Sequence, residues 1–117
     1  MAELRWVKVA RVGDLAPGTM KRAELDVLHT ITLANVEGEY HALDQRCPHA
    51  NFPLYAGRLL GHRLVCAGHS WVFDARTGDI LMPRDGEPVR TYPVRIEGED
   101  VLVGWEPPTM PPRRPRR

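Results

Sequence analysis

Cysteine is scarce in this chain: 117 residues hold two, Cys47 and Cys66. So small a number excludes a disulfide-built scaffold, and each thiol reads first as a metal ligand or a buried side chain. Long apolar runs are missing too. None approaches the roughly 18 residues that a membrane-spanning helix needs. The opening stretch "MAELRWVKVARVGD" alternates charged with apolar residues, so neither a signal peptide nor a membrane anchor is expected there. A cytoplasmic location is the corresponding expectation. Internal repeats are absent, and no linker precedes residue 107. Outside the last eleven residues nothing resembles a nucleic-acid surface.

Acidic residues are missing from that last stretch. "PPTMPPRRPRR" (107–117) carries four arginines and no carboxylate, and it has too few apolar side chains to fold. Without it, twelve basic residues face fifteen acidic ones, so the overall charge of +1 conceals an acidic body. The expected organisation is one domain over 1–106 and a disordered Pro/Arg-rich tail over 107–117. The hydrophobic content of 43% suits a single modest core.

Strand signals are what the chain has in abundance. "LRWVKV" (4–9) alternates, and "HTITLANV" (29–36) sets Ile31 and Leu33 on one face and Thr30 and Thr32 on the other. Short runs recur at 39–43, 63–66, 71–74, 79–82, 90–96 and 101–105, with Gly- or Pro-containing turns between most of them. "MKRAELDVL" (20–28) is the one stretch that could pass for a helix, with weak periodicity and no good cap. The pattern predicts an all-β fold, an antiparallel sandwich or partial barrel.

Both cysteines stand in short Cys/His pairs at expected strand ends. Cys47-x-His49 follows the strand at 39–43, and Cys66-x-x-His69 joins the strands at 63–66 and 71–74. Two thiolates and two imidazoles are a complete ligand set. A structural zinc accepts such a set, although the one-residue gap in Cys47-Pro48-His49 is tight for a zinc knuckle. A [2Fe–2S] cluster with two histidines on one iron accepts it as well.

The stretch "CPHANFPLYAGRLLGHRLVCAGHSWVFDARTGDIL" resembles the cluster-binding region of Rieske ferredoxins. "EGEYHALDQRCPH" is similar to that family's approach to its first ligand loop, and "VRTYPVRIEGEDVLV" to its last hairpin. The resemblance covers roughly residues 4 to 105. It implies that Cys47 and Cys66 bind one iron of a [2Fe–2S] cluster and that His49 and His69 bind the other. Pro48, Phe52, Pro53 and Leu54 are expected to form an apolar lid on one side of the cluster, with Met82-Pro83 covering the other as in relatives, and ordinary core packing is the alternative for each. One departure stands out: Ser70 follows the second ligand histidine where the family usually has glycine, and Gly68 precedes it.

The resemblance further implies a low-potential, oxygenase-associated branch. High-potential relatives join their ligand loops by a disulfide, and here Phe52 and Gly68 occupy those places. They also supply hydroxyls two and four residues after the second histidine, where this chain has Trp71 and Phe73. Rieske centres span roughly −150 to +300 mV, against about −400 mV for plant-type ferredoxins. The implied function is single-electron transfer from a flavoprotein reductase to a terminal oxygenase, without a small-molecule substrate and without catalysis by this chain. Its acidic body would suit a basic docking face. The alternatives are a small subunit of a larger oxidoreductase, such as a nitrite reductase or an arsenite-type oxidase, and a zinc-stabilised binding module. A complete oxygenase needs a second His/His/carboxylate site. The spacing of His29, His41 and His62 offers none.

Overall fold

The computed structural model describes residues 4–48, 52–68 and 71–106. Within them the chain forms three antiparallel sheets. Strands β1 (Arg5–Arg11), β10 (Val94–Glu97) and β11 (Asp100–Trp105) make a three-stranded sheet in the order β1-β11-β10. Strands β2 (Met20–Glu24), β3 (Thr30–Val36), β4 (Glu39–Asp44) and β9 (Thr91–Tyr92) make a second, in that order. Strands β5 (Arg58–Leu60), β6 (Arg63–Val65), β7 (Val72–Asp74) and β8 (Ile80–Met82) make the third. Among the described residues the helical content is one 3₁₀ turn, Leu54–Ala56. The predicted all-β antiparallel class is what the chain adopts.

The second sheet is a shared wall. Ile31, Leu33 and Ala42 face the first sheet and bury Val101, Val103 and Trp105 with them. On the opposite face Ala34, Val36 and Leu43 join Leu64 and Phe73 of the third sheet. Because β3 is covered on both sides, Thr32 is fully buried, although alternation sets it with Thr30 on the face opposite Ile31 and Leu33.

The stretch at 20–28 is not a helix. Residues 20–24 pair with β3 in register Met20↔Ala34 to Glu24↔Thr30, and sheet pairing overrides a helix-compatible composition. The turn that follows is fixed by Asp26, whose carboxylate accepts the backbone N–H of Leu28 and of His29, both at 2.8 Å. The run at 90–96 is cut in two at Pro93, which has no N–H for a ladder. Strand β5 lies in a stretch that carries no alternation signal of its own.

Candidate iron–sulfur site

The two cysteines sit in loops closed by the same device. The Cys47 N–H donates to the Phe52 carbonyl at 3.0 Å, and the Cys66 N–H donates to the Trp71 carbonyl at 2.8 Å. Each cysteine is thus tied to the carbonyl five residues on. The strands outside each loop continue the pairing. Arg46 bridges to Pro53 around the first loop, and Val65 pairs with Val72 around the second. The Leu54 N–H also bonds to the Gln45 carbonyl at 2.7 Å, which anchors the return of the first loop. His49, His69 and Ser70 lie outside the described residues.

Both thiols are 2% exposed and are not joined in a disulfide. They share one apolar cluster with Leu54, Leu64, Phe73, Ala75 and Val89. The loops also touch. The Phe52 ring packs on Gly68 so closely that a Cβ there would fall 2.3 Å from Phe52 Cδ2. Two reduced, water-shielded sulfurs on adjoining loops, each followed by a histidine, fit the donor set of a cluster with mixed thiolate and imidazole ligation. Among the described residues no group of three metal-ligating side chains forms.

The supporting residues divide. Phe52 is half-exposed over Gly68, Pro48 is exposed and Pro53 is partly buried, as a covering flap would be. Leu54 is not part of a lid: it is fully buried and belongs to the core beneath both loops. Met82 is largely exposed on β8, while the turn after it approaches Trp71, where a Cβ on Gly86 would lie 2.9 Å from the indole. Phe73 is fully buried beside the cysteines, and Trp71 tilts against it at 6.2 Å between ring centroids.

Two polar devices hold the frame. Tyr92 on β9 donates to Asp44 Oδ1 at 2.5 Å, pinning the edge strand three residues before Cys47. Burial first, then this bond, pushes the Tyr92 phenol well above its ordinary value. In the β7–β8 turn, Asp74 accepts the Arg76 backbone N–H at 2.9 Å, Nε at 3.1 Å and Nη2 at 3.0 Å. The Arg76 side chain, outweighing burial, holds the Asp74 carboxyl below its ordinary value. The turn needs glycine at 78, where φ is +80° and a Cβ would meet the Val89 carbonyl oxygen at 2.1 Å.

The other histidines stay apart. His29 Nδ1 lies 2.8 Å from Asp26, and its ring tilts over Trp105. His41 Nε2 is 3.6 Å from Glu39, and His62 lends its carbonyl to the Ala75 N–H.

The Rieske [2Fe-2S] domain profile matches residues 5–93. This chain belongs to that family, and its cofactor is a Rieske-type [2Fe–2S] cluster. It is 35% identical over 103 residues to the biphenyl dioxygenase ferredoxin subunit of Pseudomonas sp. (strain KKS102), covering 87% of this chain and 94% of that one. It is 39% identical over 99 residues to the biphenyl 2,3-dioxygenase ferredoxin component of Rhodococcus jostii (strain RHA1), covering 85% and 92%. The fold superposes, with a TM-score of 0.80 and 25% identity, on a chain of the solved complex of reduced oxygenase and oxidized ferredoxin in carbazole 1,9a-dioxygenase, covering 90% and 97%. No helix among the described residues is long and apolar enough to cross a membrane.

Proposed function

We propose that this protein is the Rieske ferredoxin of an oxygenase system, taking single electrons from a flavoprotein reductase and passing them to a terminal oxygenase. One observation carries the reading: the match spans nearly the whole length of ferredoxin subunits, so the similarity is to an entire electron carrier. The chain is a carrier and not itself a catalyst.

Cys47 and Cys66 are the thiolate ligands and His49 and His69 the imidazole ligands in this proposal. The buried state of both cysteines and their common loop closure support the first pair. Pair spacing supports the second. When bound, the cluster accepts and releases one electron, at a potential raised by neutral imidazoles relative to an all-cysteine centre. The residues around it do the rest. Leu54, Leu64 and Phe73 keep water from the sulfurs, and the backbone bonds at Cys47 and Cys66 resist loop movement between redox states. The domain is taken as 1–106, with 107–117 as a disordered appendage beyond the described residues, and the location as cytoplasmic.

Purified protein tests this directly. Two irons and two acid-labile sulfides per chain, with an EPR signal in the reduced state, are expected. A colourless protein holding zinc would overturn it.

A further inference from the structure

The outward face of the β5–β8 sheet is apolar where a solvent face should be polar. Its inner row, Leu59, Leu64, Phe73 and Ile80, packs into the core. The outer row runs through Val65, Val72 and Met82 in register. A bulge in β8 adds Leu81 to this side. Together with Leu60 and Arg63 they line a groove of about 290 Å³. Leu60, Leu81 and Met82 are exposed, Val65 and Val72 are partly buried between them, and the groove joins them into one patch. It lies on the strands that lead into and out of the Cys66 loop.

Charge is distributed unevenly about this face. Residues 45–90 hold six arginines and four carboxylates, whereas residues 4–44 with 91–106 hold six cations and ten carboxylates. Away from the site, Lys8, Arg11, Arg22 and Arg95 are paired with Asp100, Glu99, Glu24 and Glu97. Among the described residues no ion pair engages Arg58 or Arg63, both exposed on the outer face. Glu37 and Glu39 approach Arg76, and Asp44 lies three residues before Cys47, so the unpaired positive charge at this end is local to Arg58 and Arg63. The outer face carries exposed positive charge at Arg58 and Arg63, with Asp74 opposite Arg63 held by Arg76, contrary to the basic docking face that net charge alone suggests.

We propose that this outer face is the docking surface for the electron-transfer partner, and that the partner meets it with an apolar patch rimmed by carboxylates. The proposal rests on the electron-carrier reading. Leu60, Val65, Val72 and Met82 give the contact its apolar centre, while Arg58 and Arg63 steer approach and set orientation, as rim charges do in transient complexes.

Two stand-in partners test it with the intact holoprotein. The reduced protein is mixed in stopped flow with native ferric cytochrome c, whose haem edge is ringed by lysines, and with the succinylated form, in which carboxylates replace those charges. One electron leaves the reduced centre and converts ferric to ferrous haem, with no bond or proton exchanged. The succinylated form should be reduced faster at low ionic strength, and added salt should slow it. The double variant Arg58→Glu/Arg63→Glu should slow that reaction about tenfold and reverse the preference, with its visible spectrum and midpoint potential unchanged. Amide shift mapping with zinc-substituted succinylated cytochrome c, which accepts no electron, should place the contact on β5, β6 and β8. The Leu60→Gln/Met82→Gln variant should weaken those shifts. A wild-type preference for the native form, a double variant that behaves as wild type, or shifts confined to β1, β10 and β11 would overturn the proposal. If neither haem protein is reduced, the electron-carrier reading fails instead, and the shift map still decides the surface.

Discussion

The ring of Phe52 lies on the bare backbone of Gly68, joining the Cys47 loop to the Cys66 loop across sixteen residues of sequence. No Cβ fits between them, since its nearest neighbours would be ring atoms at 2.3, 2.5 and 2.9 Å. Gly68→Ala should therefore cost about 1–3 kcal/mol, as overpacking at a close contact does. The same change should cost less in a Phe52→Ala background, because the obstructing ring is gone. Denaturant unfolding of all four holoproteins measures the coupling, and equal costs in both backgrounds would show that the contact is slack.

Cys47→Ser and Cys66→Ser should each abolish cluster assembly, because a serine hydroxyl is a hard, poorly ionised replacement for a soft thiolate. Iron and sulfide content of the purified variants provides the check. A full complement in either would remove that residue from the ligand set. Truncation after Glu106 should leave the content unchanged.

The Asp74–Arg76 turn should be visible in acid. Asp74 has a carboxyl held below its ordinary value, so the folded state binds its proton less readily than the unfolded state does. Its stabilising contribution is complete above the unfolded carboxyl value, near about 4, and disappears as pH falls through the lower folded value. Arg76→Gln should lower stability at neutral pH and flatten the acid limb of the stability profile. Thermal melts between neutral and strongly acidic pH would show this, and parallel profiles for the two proteins would argue against it.

Phe73→Tyr places a hydroxyl inside the cluster that holds both cysteines. An unpartnered buried hydroxyl would destabilise by about 1–3 kcal/mol. A hydroxyl that donates to a cysteine sulfur would instead favour the electron-rich reduced state. The shift should be upward and on the order of tens of millivolts, because about 59 mV corresponds to a tenfold change for one electron and only the difference between redox states counts. Protein-film voltammetry of parent and variant decides. A variant that is destabilised with no change of potential would show that the hydroxyl misses sulfur.

Chemistry was more legible in the sequence than packing. Both Cys/His pairs stand out because ligand spacing is local, and alternation located most strands. Thr32 misleads because burial on two faces depends on a third sheet contributed by residues far along the chain. Leu54 reads as part of a loop and proves to be core for the same reason. The 20–28 stretch shows the limit of composition: Lys21, Arg22, Ala23 and Glu24 favour a helix, and the partner strand overrides them. Contacts such as Phe52 on Gly68 leave no local mark. That Arg58 and Arg63 share one exposed face beside the site likewise shows only once β5 and β6 pair.

Strand β3 borders two cores at once, and that ties their fates together. If one layer frays, the wall that supports the other loses its packing, so neither half can open without cost to both. Amides of β3 should then be among the slowest to exchange with deuterated water. The protection of the far sheet should also depend on whether the cluster is in place, a thermodynamic linkage between a redox centre and strands that never touch it.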